Sequence, residues 1–184
     1  GVRQMLLYTL INVIVAIIVI VAVLDLLYRR FVWRQGNENV KLLVKRRSQL
    51  RLEDREFNQV TLALDIPFVN TGKQYGTIMD LFPRHLLPQE QFDDVKIESW
   101  STHVERGERH DGYFESWIVK PGKGGTVRLR LILTGKSGNI ERDLANIPDF
   151  NIDMYYQVVG RTDYRITKDR IRLTHDEIMK ALQG

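Results

Sequence analysis

The chain opens on a continuous apolar run, Met5 to Leu24, MLLYTLINVIVAIIVIVAVL, that holds no charged side chain. About 20 such residues, rising about 1.5 Å each as a helix, match a hydrocarbon core of about 30 Å, so the pattern predicts a transmembrane helix. A secretory signal peptide has a shorter apolar stretch and a small-residue cleavage site, and neither is visible. A buried core helix is the competing reading, but a domain of this size does not need a helix apolar on every side. The flanks agree: Tyr28, Arg29, Arg30, Phe31, Trp33 and Arg34 supply the aromatic and basic side chains that favour a headgroup layer. Asp25 stands four residues before Arg29, close enough for an ion pair along one helix face. Asn12, an amide midway along the run, favours a hydrogen-bond partner on another helix.

Beyond the helix the period changes from continuous to two. Residues 35–56 read as a polar hinge at Gly36 and a charged connecting segment. Val60, Leu62, Leu64, Ile66 and Phe68 then alternate with more polar neighbours, the signature of a strand with one buried face, and Pro67 places that strand at an edge or a bulge. Further strands are expected at Tyr75–Phe82, ended by Pro83, and at Val95–Val104, Tyr113–Val119, Val127–Leu133, Ile152–Val159 and Tyr164–Leu173. Thr174 with Glu177 three residues later fits a capping box opening a short C-terminal helix. The predicted fold is therefore mainly β: a single transmembrane helix (1–34), a basic juxtamembrane linker (35–56), and an immunoglobulin-like antiparallel sandwich with a C-terminal helix (57–184). A small barrel is the rival.

Composition narrows the function. The 184 residues contain no cysteine, which removes disulfides, thiolate metal sites and cysteine nucleophiles. The net charge of +4 is concentrated beside the helix, where Arg29 to Arg55 holds nine basic and three acidic residues. That placement points to anionic lipid headgroups rather than nucleic acid. Taken alone, the same bias keeps the globular part cytoplasmic, whereas the plan of one N-terminal helix and a small β domain favours display outside. The opening Gly1 leaves room for residues ahead of it.

No catalytic set assembles from the sequence. Gly135-Lys136-Ser137 ends like a phosphate-binding loop but lacks the earlier glycine, since Arg130 stands there, and a hairpin turn is expected instead. Asp93, Asp94 and Glu90 offer carboxylates of the kind any charged loop carries, and there is no Gly-x-Ser-x-Gly elbow. His103, Glu105, Glu108, His110 and Asp111 crowd one loop and are candidate metal ligands, opposed there by Arg106 and Arg109. Trp100 and Phe114 are candidate protein-contact residues. No cofactor is expected. The functional expectation is a non-enzymatic accessory or assembly subunit of a membrane complex, with other subunits or further copies of itself as partners. A membrane-tethered sensor using the loop Glu105–Asp111 is the alternative, and a tethered hydrolase comes third.

Overall fold

The computed structural model describes residues 1–107, 109 and 111–183, in two compact units, 1–36 and 37–184. The first unit is a single helix, α1 (Val2–Gln35), uninterrupted by proline or glycine. None of its 34 residues is buried. Arg29 reaches Asp25 at 2.7 Å as the spacing predicts, and Gly36 ends the helix at φ 66°, a backbone conformation that favours glycine. Tyr28, Arg29, Arg30, Phe31, Trp33 and Arg34 all lie in its final turns, and Asn12 is exposed in its first half.

The second unit is mainly β, with two antiparallel sheets among the described residues. The first sheet contains β1 (Val40–Leu42), β2 (Arg51–Glu56), β3 (Gln59–Asn70), β5 (Val95–His103) and β7 (Gly124–Gly135). Its order is β1-β3-β7-β5, with β2 also paired to β3. The second sheet runs β6-β4-β8-β9 and contains β4 (Gly76–His85), β6 (Trp117–Val119), β8 (Phe150–Val159) and β9 (Arg165–Leu173). Alternate positions of both sheets meet in one apolar cluster that includes Leu62, Leu64, Ile66, Ile78, Leu129, Leu131, Ile152 and Met154. Each such side chain stabilises the fold by roughly 1.5–3 kcal/mol relative to exposure, so this shared core fixes which face of every strand looks inward.

Four sequence expectations need correction. Residues 35–56, read as a linker, contain β1 and β2, which pair in succession with the same side of β3 around a 3-10 turn at Val44–Arg46. Pro67 falls opposite that interruption, where its carbonyl accepts from Leu43 N–H at 2.7 Å and a missing donor costs nothing. Strand β4 does not stop at Pro83 but continues to His85, because β6 covers only Gly76–Ile78 and leaves Pro83 on a free edge. A bulge between Met79 and Phe82, with Asp80 at φ 49°, re-aims the strand on the way. Between Tyr113 and Val119 only Trp117–Val119 is strand.

The fourth concerns the Gly135-Lys136-Ser137 turn, which leads into a short helix after all, α2 (Ile140–Leu144), capped by Asn139 accepting from Arg142 N–H at 3.0 Å. Ser137 is held by Asp143 within that turn. The C-terminal helix α3 (His175–Gln183) forms as expected, with Thr174 accepting from Glu177 N–H at 3.2 Å. The carboxylate of Glu177 binds Arg47 at 2.6 and 2.9 Å, so the glutamate ties α3 to the segment before β2.

Candidate functional site

The loop after β5 offers a poor metal site. His103 is buried between Phe114, Trp117 and Phe68, with ring centroids 4.1, 4.8 and 6.1 Å away. Burial pushes its pKa down, outweighing the hydrogen bond between Nε2 and the Glu115 carbonyl at 2.7 Å. Asp111 is clamped by Arg109 and by Tyr113 N–H, and the guanidinium holds its carboxyl down at about 2. Glu105 is exposed, and Glu108 and His110 lie outside the described residues. Among the described residues no three His, Asp or Glu side chains gather as a metal would require. Phe114, proposed from sequence as a contact residue, is 4% exposed and belongs to the core, because the loop folds inward to cover His103.

Trp100 lies half-buried on the outer face of the first sheet, directly opposite Arg130. That face explains the charged composition of β2. Arg130, buried although it points away from the core, is bound by Glu53, while Arg128 at 2.8 Å and Arg51 at 3.2 Å converge on Asp65. Burial raises the Asp65 pKa, but the two guanidinium groups outweigh it and hold the carboxyl below its ordinary value. A cleft of about 370 Å³ opens beside Trp100, Glu53 and Arg130. Of the carboxylates near Pro88, Asp93 is tied to Lys136.

The most organised polar cluster of the second unit lies elsewhere, at the end where the chain enters it. Glu38, 4% exposed, turns its carboxylate onto Arg161 N–H at 3.0 Å and the Thr162 hydroxyl in the β8–β9 turn. Burial raises its pKa, yet these donors prevail and the group titrates below its ordinary value. Gly160 leaves room for this carboxylate: a Cβ there would stand 2.4 Å from the Glu38 carboxyl carbon and would displace it. Asn70, fully buried, accepts from Asn39 N–H and Gly72 N–H at 3.0 Å each and donates to the carbonyls of Gln74 at 2.8 Å and Val119 at 2.9 Å. Two further bonds close the set: Lys73 N–H donates to Asn37 at 2.9 Å, and Asn70 N–H to Lys123 at 2.8 Å. Residues 37–39, 71–75, 120–123 and 160–162 are thereby knitted into one surface. It is hidden in the sequence because most of its bonds join residues far apart in the chain, Glu38 with Thr162 and Asn70 with Val119 among them.

What those segments display is basic and partly apolar. Lys73, Lys120, Lys123 and Arg165 are exposed, as are Tyr75, Ile118, Tyr164 and Ile166. The outer face of the second sheet continues the apolar character. Ile118, Met79, Phe82 and Tyr155 lie along it, the last two stacked with centroids 5.4 Å apart. A row of Arg84, Lys168 and Arg170 follows, around the buried carboxylate of Asp153, which Arg170 grips at 2.7 Å.

Neither a family model nor a curated protein matches the chain. Among solved structures, it is similar to the ApaA protein from Bordetella pertussis at 14% identity, covering 76% of this chain and 94% of that one, with a TM-score of 0.39. The GAE domain of yeast GGA1 is similar at 8% identity over 68% and 92%, with a TM-score of 0.34. A FixG-related protein from Vibrio parahaemolyticus is similar at 10% identity over 74% and 94%, with a TM-score of 0.35.

Proposed function

We propose that this protein is a membrane-anchored, non-enzymatic accessory or assembly subunit, with α1 crossing a bilayer and an immunoglobulin-like sandwich contacting partner proteins. One observation carries the reading: α1 is 34 residues of mostly apolar side chains, none of them buried within its own chain. Such a surface requires an apolar surrounding from outside, and a bilayer of matching thickness supplies it. Asn12 then seeks its partner on another helix. The apolar outer face of the second sheet, where Ile118 and Ile166 are 64% and 63% exposed, supports a protein contact for the β unit. A sensor working through the loop Glu105–Asp111 gains less support, because Arg109 already neutralises Asp111 and the described residues there enclose only about 10 Å³.

Purification of the full chain in mild detergent tests the proposal. Co-purification of a stoichiometric membrane partner, or a defined homo-oligomer, is the expected result. A monomer with no companion overturns the assembly role, and release from membranes by alkaline carbonate overturns the span.

A further inference from the structure

We propose that the surface built on Glu38 and Asn70 docks onto the anionic headgroups of a lipid bilayer. The inference rests on α1 crossing that bilayer. The basic side chains of this surface, between Lys73 and Arg165, lie outside the basic stretch around Arg29 to Arg55.

Charge complementarity is the first support. Segments 71–75, 120–123 and 160–166 together contain five basic residues, Lys73, Lys120, Lys123, Arg161 and Arg165, and one acidic residue, Asp163. The other carboxylate of this end, Glu38, is turned inward onto Thr162 and the Arg161 N–H, so its charge is spent in holding the loops together. Each basic side chain near a negatively charged leaflet strengthens binding about fivefold.

The second support is the company these charges keep. Tyr75 and Tyr164 are 54% and 65% exposed. An aromatic ring with a polar tip favours the headgroup layer, where the ring leaves water and the hydroxyl stays wet. Nucleic acid and acidic protein also attract lysines. A bilayer differs in being always at hand, because Asn37 follows α1 by a single residue and the backbone of Lys73 is hydrogen-bonded to it. Tethering replaces diffusion with a high effective concentration, so weak contacts suffice.

The loops suit a docking face because they are preorganised. The Asn70 amide alone makes four hydrogen bonds to three segments, so little ordering remains to be done on contact.

The test uses the full chain in nanodiscs of phosphatidylcholine alone or of phosphatidylcholine mixed with phosphatidylglycerol. Amide hydrogen exchange is followed in 71–75, 120–123 and 160–166. Exchange slowed about fivefold or more in the anionic discs, and restored by molar salt, is the expected result. The triple variant Lys73→Glu, Lys120→Glu, Lys123→Glu removes that protection while β7 keeps its own, which certifies the fold. Should that variant unfold, Tyr75→Ser with Tyr164→Ser serves instead and gives a partial loss. Equal exchange in the two kinds of disc overturns the inference while leaving the span intact. Failure of α1 to insert into either disc defeats the span itself, a separate result.

Discussion

The two units of this chain treat apolar side chains in opposite ways. In α1 they are continuous, cover every side of the helix, and none is buried. In the β unit they alternate, and nearly all of the inward set, from Val60 to Leu173, disappears into one core. Hydrophobicity alone therefore says little about stability. Its periodicity says on which sides a burial partner is needed: on one face when the period matches a sheet, on every side when there is no period at all.

This contrast is breakable. Leu131→Ala, in the centre of β7, should lower unfolding free energy by about 2–5 kcal/mol, read from urea denaturation. Ile17→Ala in α1 should leave the β unit within about 0.5 kcal/mol of wild type. A comparable loss from both would show that the units share their stability.

Glu38→Gln sharpens the boundary between them, with an expected cost of roughly 1.5–3 kcal/mol at neutral pH from weakened charge-assisted hydrogen bonds. The sign of its pH dependence follows from the lowered pKa of the folded state. The contribution is complete above the ordinary glutamate range and is lost as pH falls through the folded value. Wild type and variant should therefore converge in acid, and a gap that widens there would refute the assignment.

Thr174→Ala removes the cap of α3 and should cost about 1 kcal/mol, seen as a lower urea midpoint. The smallest effect is expected at Phe57, which is 94% exposed in the turn between β2 and β3. Phe57→Ser should move the midpoint by no more than about 0.5 kcal/mol, because an apolar side chain already in water has no burial to lose.

The long alternating strands were legible in sequence because their information is local. Val60 to Phe68 and Val127 to Leu133 each announce a buried face, and both faces are buried as read. Strand β2 was illegible for a physical reason. Its Glu53 and Arg51 face a sheet surface whose matching charges, Arg130 and Asp65, lie 77 and 14 residues away, so the segment looks like a solvated linker until the sheet forms. The Glu38 and Asn70 cluster was hidden in the same way, by bonds spanning up to 124 residues. Phe114 was misread because aromatic residues outside strands give no period from which to assign a face. The helix after Ser137 escaped notice because five residues are too few to show one.

The last strand of the second sheet carries a consequence of its own. Strand β9 ends the order of that sheet, and its outward positions hold Lys168, Arg170 and Arg172. Each is paired within the chain, Lys168 and Arg170 with Asp153 and Arg172 with Asp149, so a second molecule extending the sheet there would have to disturb three ion pairs. An edge whose side chains are already engaged discourages sheet extension, and it leaves the neighbouring apolar face as the more favourable place for company.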